Sequence, residues 1–99
     1  MKNYDIYNAN ATLSEFVNEP LKGALKFKLF KAKSELENAV SIVVKTLEGV
    51  EGEEERNEIL QQEQEVKVPR FTTSELEPLA LSMRQIGSLV SLIDFEEEE

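Results

Sequence analysis

Leu25, Leu29, Ala32, Leu36, Ala39 and Val43 recur at alternating steps of four and three, and Val40 and Leu47 widen the stripe. That spacing keeps side chains on one side of a helix, and it predicts a single long helix from about Lys22 to Glu48, roughly 40 Å at 1.5 Å per residue. The alternation has the form of an a/d seam. Phe27 and Phe30 fall outside the stripe, with Ala24 and Ile42 near them. A helix apolar on two sides needs two partners, from within the chain or from a second copy.

Shorter patterns flank this helix. Ile6, Ala9, Leu13, Phe16 and Val17, three and four apart apart from the adjacent last pair, predict a first helix capped by Asn3 or Asp5. Asn18-Glu19-Pro20 stops it, because proline disfavours the helical conformation of the residue before it. Gly49 and Gly52 bracket the end of the long helix, where a left-handed cap suits glycine. Glu51, Glu53, Glu54, Glu55 and Glu58 then suit the first turns of a third helix running through Ile59 and Leu60 to Gln64.

From Glu65 to Phe71 the pattern changes to period two, which predicts an edge strand interrupted by Pro69. Its partner is expected from Leu92 to Glu97, from the extreme N-terminus or from another chain. Ser74-Glu75-Leu76-Glu77 has the form of a capping box, and Pro78 alternatively suits the first position of a helix capped by Glu77. A closing helix is expected with Leu79, Met83, Ile86, Leu89, Val90 and Ile93 inside and Leu81 and Leu92 behind, Gly87 allowing a close crossing. The predicted fold is a mainly α single domain over residues 1–95. One long central helix carries a packed C-terminal helix and a short edge β-strand, and residues 96–99 form an acidic tail.

Charge divides this plan. Residues 1–50 carry seven basic and six acidic side chains, whereas residues 51–99 carry four and fourteen, within a total of −9. A field of that kind bears on partners and solubility rather than on fold. Lys22, Lys26 and Lys33 lie along one helical edge and, with Arg70 or Arg84, are candidates for phosphate contact. The bland reading is that lysine stems flank a buried seam. The overall charge opposes general nucleic-acid binding. The acidic residues Glu51, Glu53, Glu54, Glu55 and Glu58, with the terminal glutamates, offer a carboxylate surface able to imitate the phosphates of DNA, although acids also serve simply to keep a protein dispersed.

The 99 residues contain no cysteine and no histidine. Disulfides, thiolate or imidazole metal ligands and Ser-His or Cys-His nucleophile pairs are therefore excluded. The glutamate runs lack the Asp/Asn ladder and turn glycine of a calcium loop, and the glycines are too scattered for a phosphate loop. The expectation is a chain without cofactor, metal or catalytic residues. No apolar run approaches the ~20 residues that span a bilayer, and Met1 to Asp5 lacks the apolar core of a signal peptide, so a cytoplasmic location is expected.

Ile6-Tyr7-Asn8-Ala9, Leu21 leading into a lysine-rich helix, Glu65-Val66-Lys67-Val68, and Ser74-Glu75-Leu76-Glu77 before a Leu-rich helix form a succession that resembles small uncharacterised phage and prophage proteins. The resemblance implies a virion or assembly accessory, or a host-interaction protein, acting in the host cytoplasm and without catalytic residues. Two functions are therefore expected. The first is a non-enzymatic protein-interaction module that binds a protein partner or itself through Phe27, Phe30, Leu81 and Leu92. The second is a small acidic inhibitor of a host or defence protein, acting as a DNA mimic or by sequestering a phosphorylated ligand.

Overall fold

Gly23–Leu47 forms one uninterrupted helix, α2, around which the rest of the chain is organised. A computed structural model describes residues 1–16, 18–21 and 23–95. The predicted seam is the buried one: Leu29, Ala32, Leu36, Ala39 and Val43 are all inside. Gly49 ends the helix at φ +79°, a left-handed conformation that costs glycine no Cβ clash, and the Val50 amide donates to the Leu47 carbonyl at 3.1 Å.

Helix α1 (Asn3–Ser14) packs on α2 through Ile6, Ala9 and Leu13. Its expected side-chain cap is absent. Lys2 occupies the cap position without a side-chain bond, and Asn3 is buried, its amide donating to the Ile59 carbonyl at 2.8 Å while its oxygen accepts from Gln64 at 3.1 Å. Asn3 thus ties α1 to the end of α3 (Glu53–Gln61), a helix with no buried residue. Pairing of Lys2 with Glu63 and the bond from the Gln64 amide to the Met1 carbonyl complete that corner.

The expected strand over Glu65–Phe71 contracts to Phe71–Thr72 (β1). Val66 and Val68 are nevertheless half-buried against the core, so the period-two pattern marked real burial without a hydrogen-bonded ladder. Strand β1 pairs in parallel with Ile93–Asp94 (β2), Phe71 opposite Ile93. The partner therefore lies within the chain, and no second copy is needed to complete this edge. A parallel pair requires a crossover, which the residues between the two strands supply.

That crossover is not the single closing helix expected. Thr72, rather than Ser74, caps α4 (Thr73–Leu76) in a capping box with Glu75. A 3₁₀ turn at Glu77–Leu79 holds Pro78, Ala80 turns left-handed at φ 48°, and Ser82 opens a second capping box with Gln85 to start α5 (Met83–Leu89). A final 3₁₀ turn, Val90–Leu92, leads into β2. Each break resets the helical phase, so Leu76, Leu79, Leu89, Leu92 and Ile93 are buried while Met83 and Val90 are exposed. Helix α5 packs chiefly on α1, not on the central helix. Leu13 and Leu29 meet Phe71, Leu76, Leu89, Leu92 and Ile93 in one core. Among the described residues no helix is long and apolar enough to cross a membrane. The expected tail, residues 96–99, lies outside the described residues.

Candidate interaction surface

Phe27 and Phe30 stand on the side of α2 away from the core, 81% and 74% exposed. Nothing in helix geometry could place them otherwise, since a seam built from Leu29, Leu36 and Val43 turns the intervening positions outward. Ile42 and Val44 are also exposed on this helix. Phe27 and Phe30, three residues apart, are neighbours on the helix surface, whereas Ile42 and Val44 lie about three turns further along.

Two concavities border that helix. The first, about 300 Å³, lies where the end of α1 meets the start of α2 and is lined by Leu13, Phe16, Leu21 and Leu29 with Lys26, Phe30, Lys33 and Glu37 at its mouth. The second, about 520 Å³, lies towards the other end of α2, between Tyr4, Tyr7 and Asn8 of α1, Val44, Leu47 and Glu48 near the end of α2, and Leu60 of α3. Tyr4 and Tyr7, each half-exposed, thus line a groove rather than anchoring α1 in the core.

Leu81 and Leu92 do not join this surface. Leu92 is 3% exposed and belongs to the core, and Leu81 is half-buried against it, because the breaks at Ala80 and Val90 turn both inward. Met83, 91% exposed on α5, is the most exposed of the apolar residues that the sequence pattern placed inside, and Ile86 and Val90 are exposed as well. The exposure of Met83 was legible only through the Ser82-x-x-Gln85 signature that restarts the helix.

The basic candidates are dispersed. Arg70 donates to Asp94 at 2.6 Å and to the Ser91 and Ile93 carbonyls, clamping the β1–β2 corner. Arg84 pairs with Glu15 at 3.2 Å, joining α5 to α1. Lys33 pairs with Glu37 and donates to the Asn10 side chain at 3.3 Å. Lys33, Arg70 and Arg84 are thus each paired within a separate part of the fold. Lys26 is exposed without an ion pair among the described residues, and Lys22 lies outside them. Lys28 bonds both oxygens of Glu75 at 2.9 Å and sits 4.9 Å from the Phe71 ring centre.

Two carboxylates are perturbed. Hydrogen bonds from Gln85 and then Arg84 hold Glu15 below its ordinary value. Lys28 and then the Thr72 amide do the same for Glu75. Both act as structural ties between elements. The acidic candidates Glu51, Glu53, Glu54, Glu55 and Glu58 are all exposed, and Glu53, Glu54 and Glu58 border a shallow hollow with Asn57 and Gln61. Among the described residues no three acids are grouped so as to hold a metal ion.

Comparison of the chain with protein-family models, with curated proteins and with solved structures returns no match.

Proposed function

We propose that the chain is a non-enzymatic protein-interaction module that binds through the outward side of α2. The observation that carries this reading is the exposure of Phe27 and Phe30 on the long central helix, with Phe30 lining an apolar concavity. Aromatic side chains offer much contact area for little lost conformational freedom, and they anchor interfaces where a neighbouring hollow accepts the partner. In this reading the module serves a phage-encoded assembly or accessory role in the host cytoplasm, a role supported by the sequence resemblance.

Replacing both Phe27 and Phe30 by alanine tests it. Stability should change by no more than about 0.5 kcal/mol, the usual range for exposed positions away from caps and core. Affinity capture from cells producing the chain should at the same time lose the protein held by the unaltered chain. A double variant that unfolds, or one that captures the same protein equally well, defeats the assignment.

A second reading rests on α3, which buries no residue and presents glutamates with no ion pair among the described residues. It makes the chain a small acidic inhibitor that occupies a basic groove of a host or defence protein. Salt separates the two readings. Binding by the acids should weaken steeply between low and high ionic strength, whereas binding by the α2 face should persist.

A further inference from the structure

We propose that the outward flank of α2 joins two copies of the chain about a two-fold axis, with the two α2 helices antiparallel. The inference rests on the reading of α2 as an interaction surface and adds its occupant and register. Lys26, Phe30, Lys33, Glu37, Val44 and Glu48 follow one another at steps of four, three, four, seven and four, so they form a single stripe along the helix. Both concavities open beside this stripe, one near each end.

The stripe is complementary to itself only when reversed. Lys26 and Glu48 each lie eleven residues from Glu37, and Phe30 and Val44 each lie seven. A two-fold axis through Glu37 therefore sets Lys26 against Glu48 of the second copy, and Phe30 against its Val44 and the tyrosine-lined groove. Neither Lys26 nor Glu48 has an ion pair within the chain among the described residues, so both charges are free to pair across the axis. Glu37 on the axis meets its own copy, but each Glu37 already holds Lys33, and two such pairs form an alternating quartet of charge. Parallel helices would instead oppose Lys26 to Lys26 and Glu48 to Glu48. The larger charge distribution agrees, because the start of α2 carries Lys26 and Lys31 whereas α3, next to its end, carries Glu53, Glu54, Glu55 and Glu58. Isologous pairing of this kind closes, giving a dimer rather than a filament.

The cysteine-free sequence permits a direct test on the full chain. Glu37→Cys, Lys26→Cys and Glu48→Cys each alter an exposed position. After mild oxidation, Glu37→Cys should cross-link to itself. Lys26→Cys and Glu48→Cys should cross-link to each other when mixed, several-fold faster than either does alone. Lys26→Glu should shift the mass measured by light scattering from dimer to monomer, and adding Glu48→Lys to the same chain should restore the dimer. Preferred self-linkage of Lys26→Cys would overturn the antiparallel register. A monomeric mass for the unaltered chain at high concentration would overturn the second copy as occupant. If that monomer still lost a captured protein on replacing Phe27 and Phe30, the α2 surface would stand with a different partner. If it lost nothing, both readings would fall.

Discussion

Gly49, Ala80 and Gly87 separate what a backbone demands from what a side chain contributes. At Gly49 an added Cβ would meet nothing within 4 Å, yet φ is +79°, so any cost of Gly49→Ala is backbone strain alone. We expect it to destabilise the fold by about 1 kcal/mol. Ala80 poses the reverse case, since it adopts φ 48° with a side chain already present. Ala80→Gly should raise stability by roughly 0.5 kcal/mol, relief of strain outweighing the extra freedom gained by the unfolded chain. Gly87 lies inside α5 with open space where a Cβ would stand, so it permits no close helix crossing. Gly87→Ala should therefore stabilise by about 0.5–1 kcal/mol. Denaturant midpoints of the three variants give the signs directly, and a destabilised Gly87→Ala would mean that a neighbour packs against α5 where a Cβ now meets open space.

At the scale of elements, legibility followed the length of the pattern. Six seam positions over about five helical turns of consistent spacing made α2 readable, and Gly49 marked its end. The region after Phe71 misled because a helical spacing from Leu79 to Ile93 can be written across breaks that the apolar residues themselves do not encode. The breaks were signalled by polar residues instead, Thr72 with Glu75 and Ser82 with Gln85. Of the proposed surface, Phe27 and Phe30 were legible because they are out of phase with a long seam, while Leu81 and Leu92 were misplaced because the phase near them is reset twice. Ser82 carries a testable share of α5. Its hydroxyl accepts from the Gln85 amide at 3.2 Å, and Gln85 in turn donates to Glu15 at 2.6 Å. Ser82→Ala should cost about 1 kcal/mol in a denaturant melt. Ser82→Asp should recover most of that loss, because a carboxylate serves the same cap. Failure of Asp to recover it would show that the serine matters for something other than capping.

Across the whole molecule, ion pairs at the rim of the core link separate elements. Glu15–Arg84 ties α1 to α5, Lys28–Glu75 ties α2 to α4, and Arg70–Asp94 closes the two strands. Pairs of this kind contribute little each, but two of them involve carboxyls held below the ordinary range, which makes their contribution depend on pH. In both, the folded chain releases its proton more readily than the unfolded chain. Their stabilisation is therefore complete above the ordinary glutamate value of about 4.3, and it is lost as pH falls from there through the lower folded values. Glu75→Gln isolates the effect, because glutamine at the same position keeps the capping box with Thr72 while removing the charge that Lys28 meets. The variant should be less stable than the unaltered chain at pH 7, and urea midpoints of the two should converge as pH approaches 3. Lys28→Met should behave in the same direction, because it leaves Glu75 with only the amide and side chain of Thr72 to hold its carboxyl down. A gap between Glu75→Gln and the unaltered chain that stayed constant from pH 7 to pH 3 would place the contribution in packing around Thr72, and would remove Lys28–Glu75 from the forces that bind the crossover to α2.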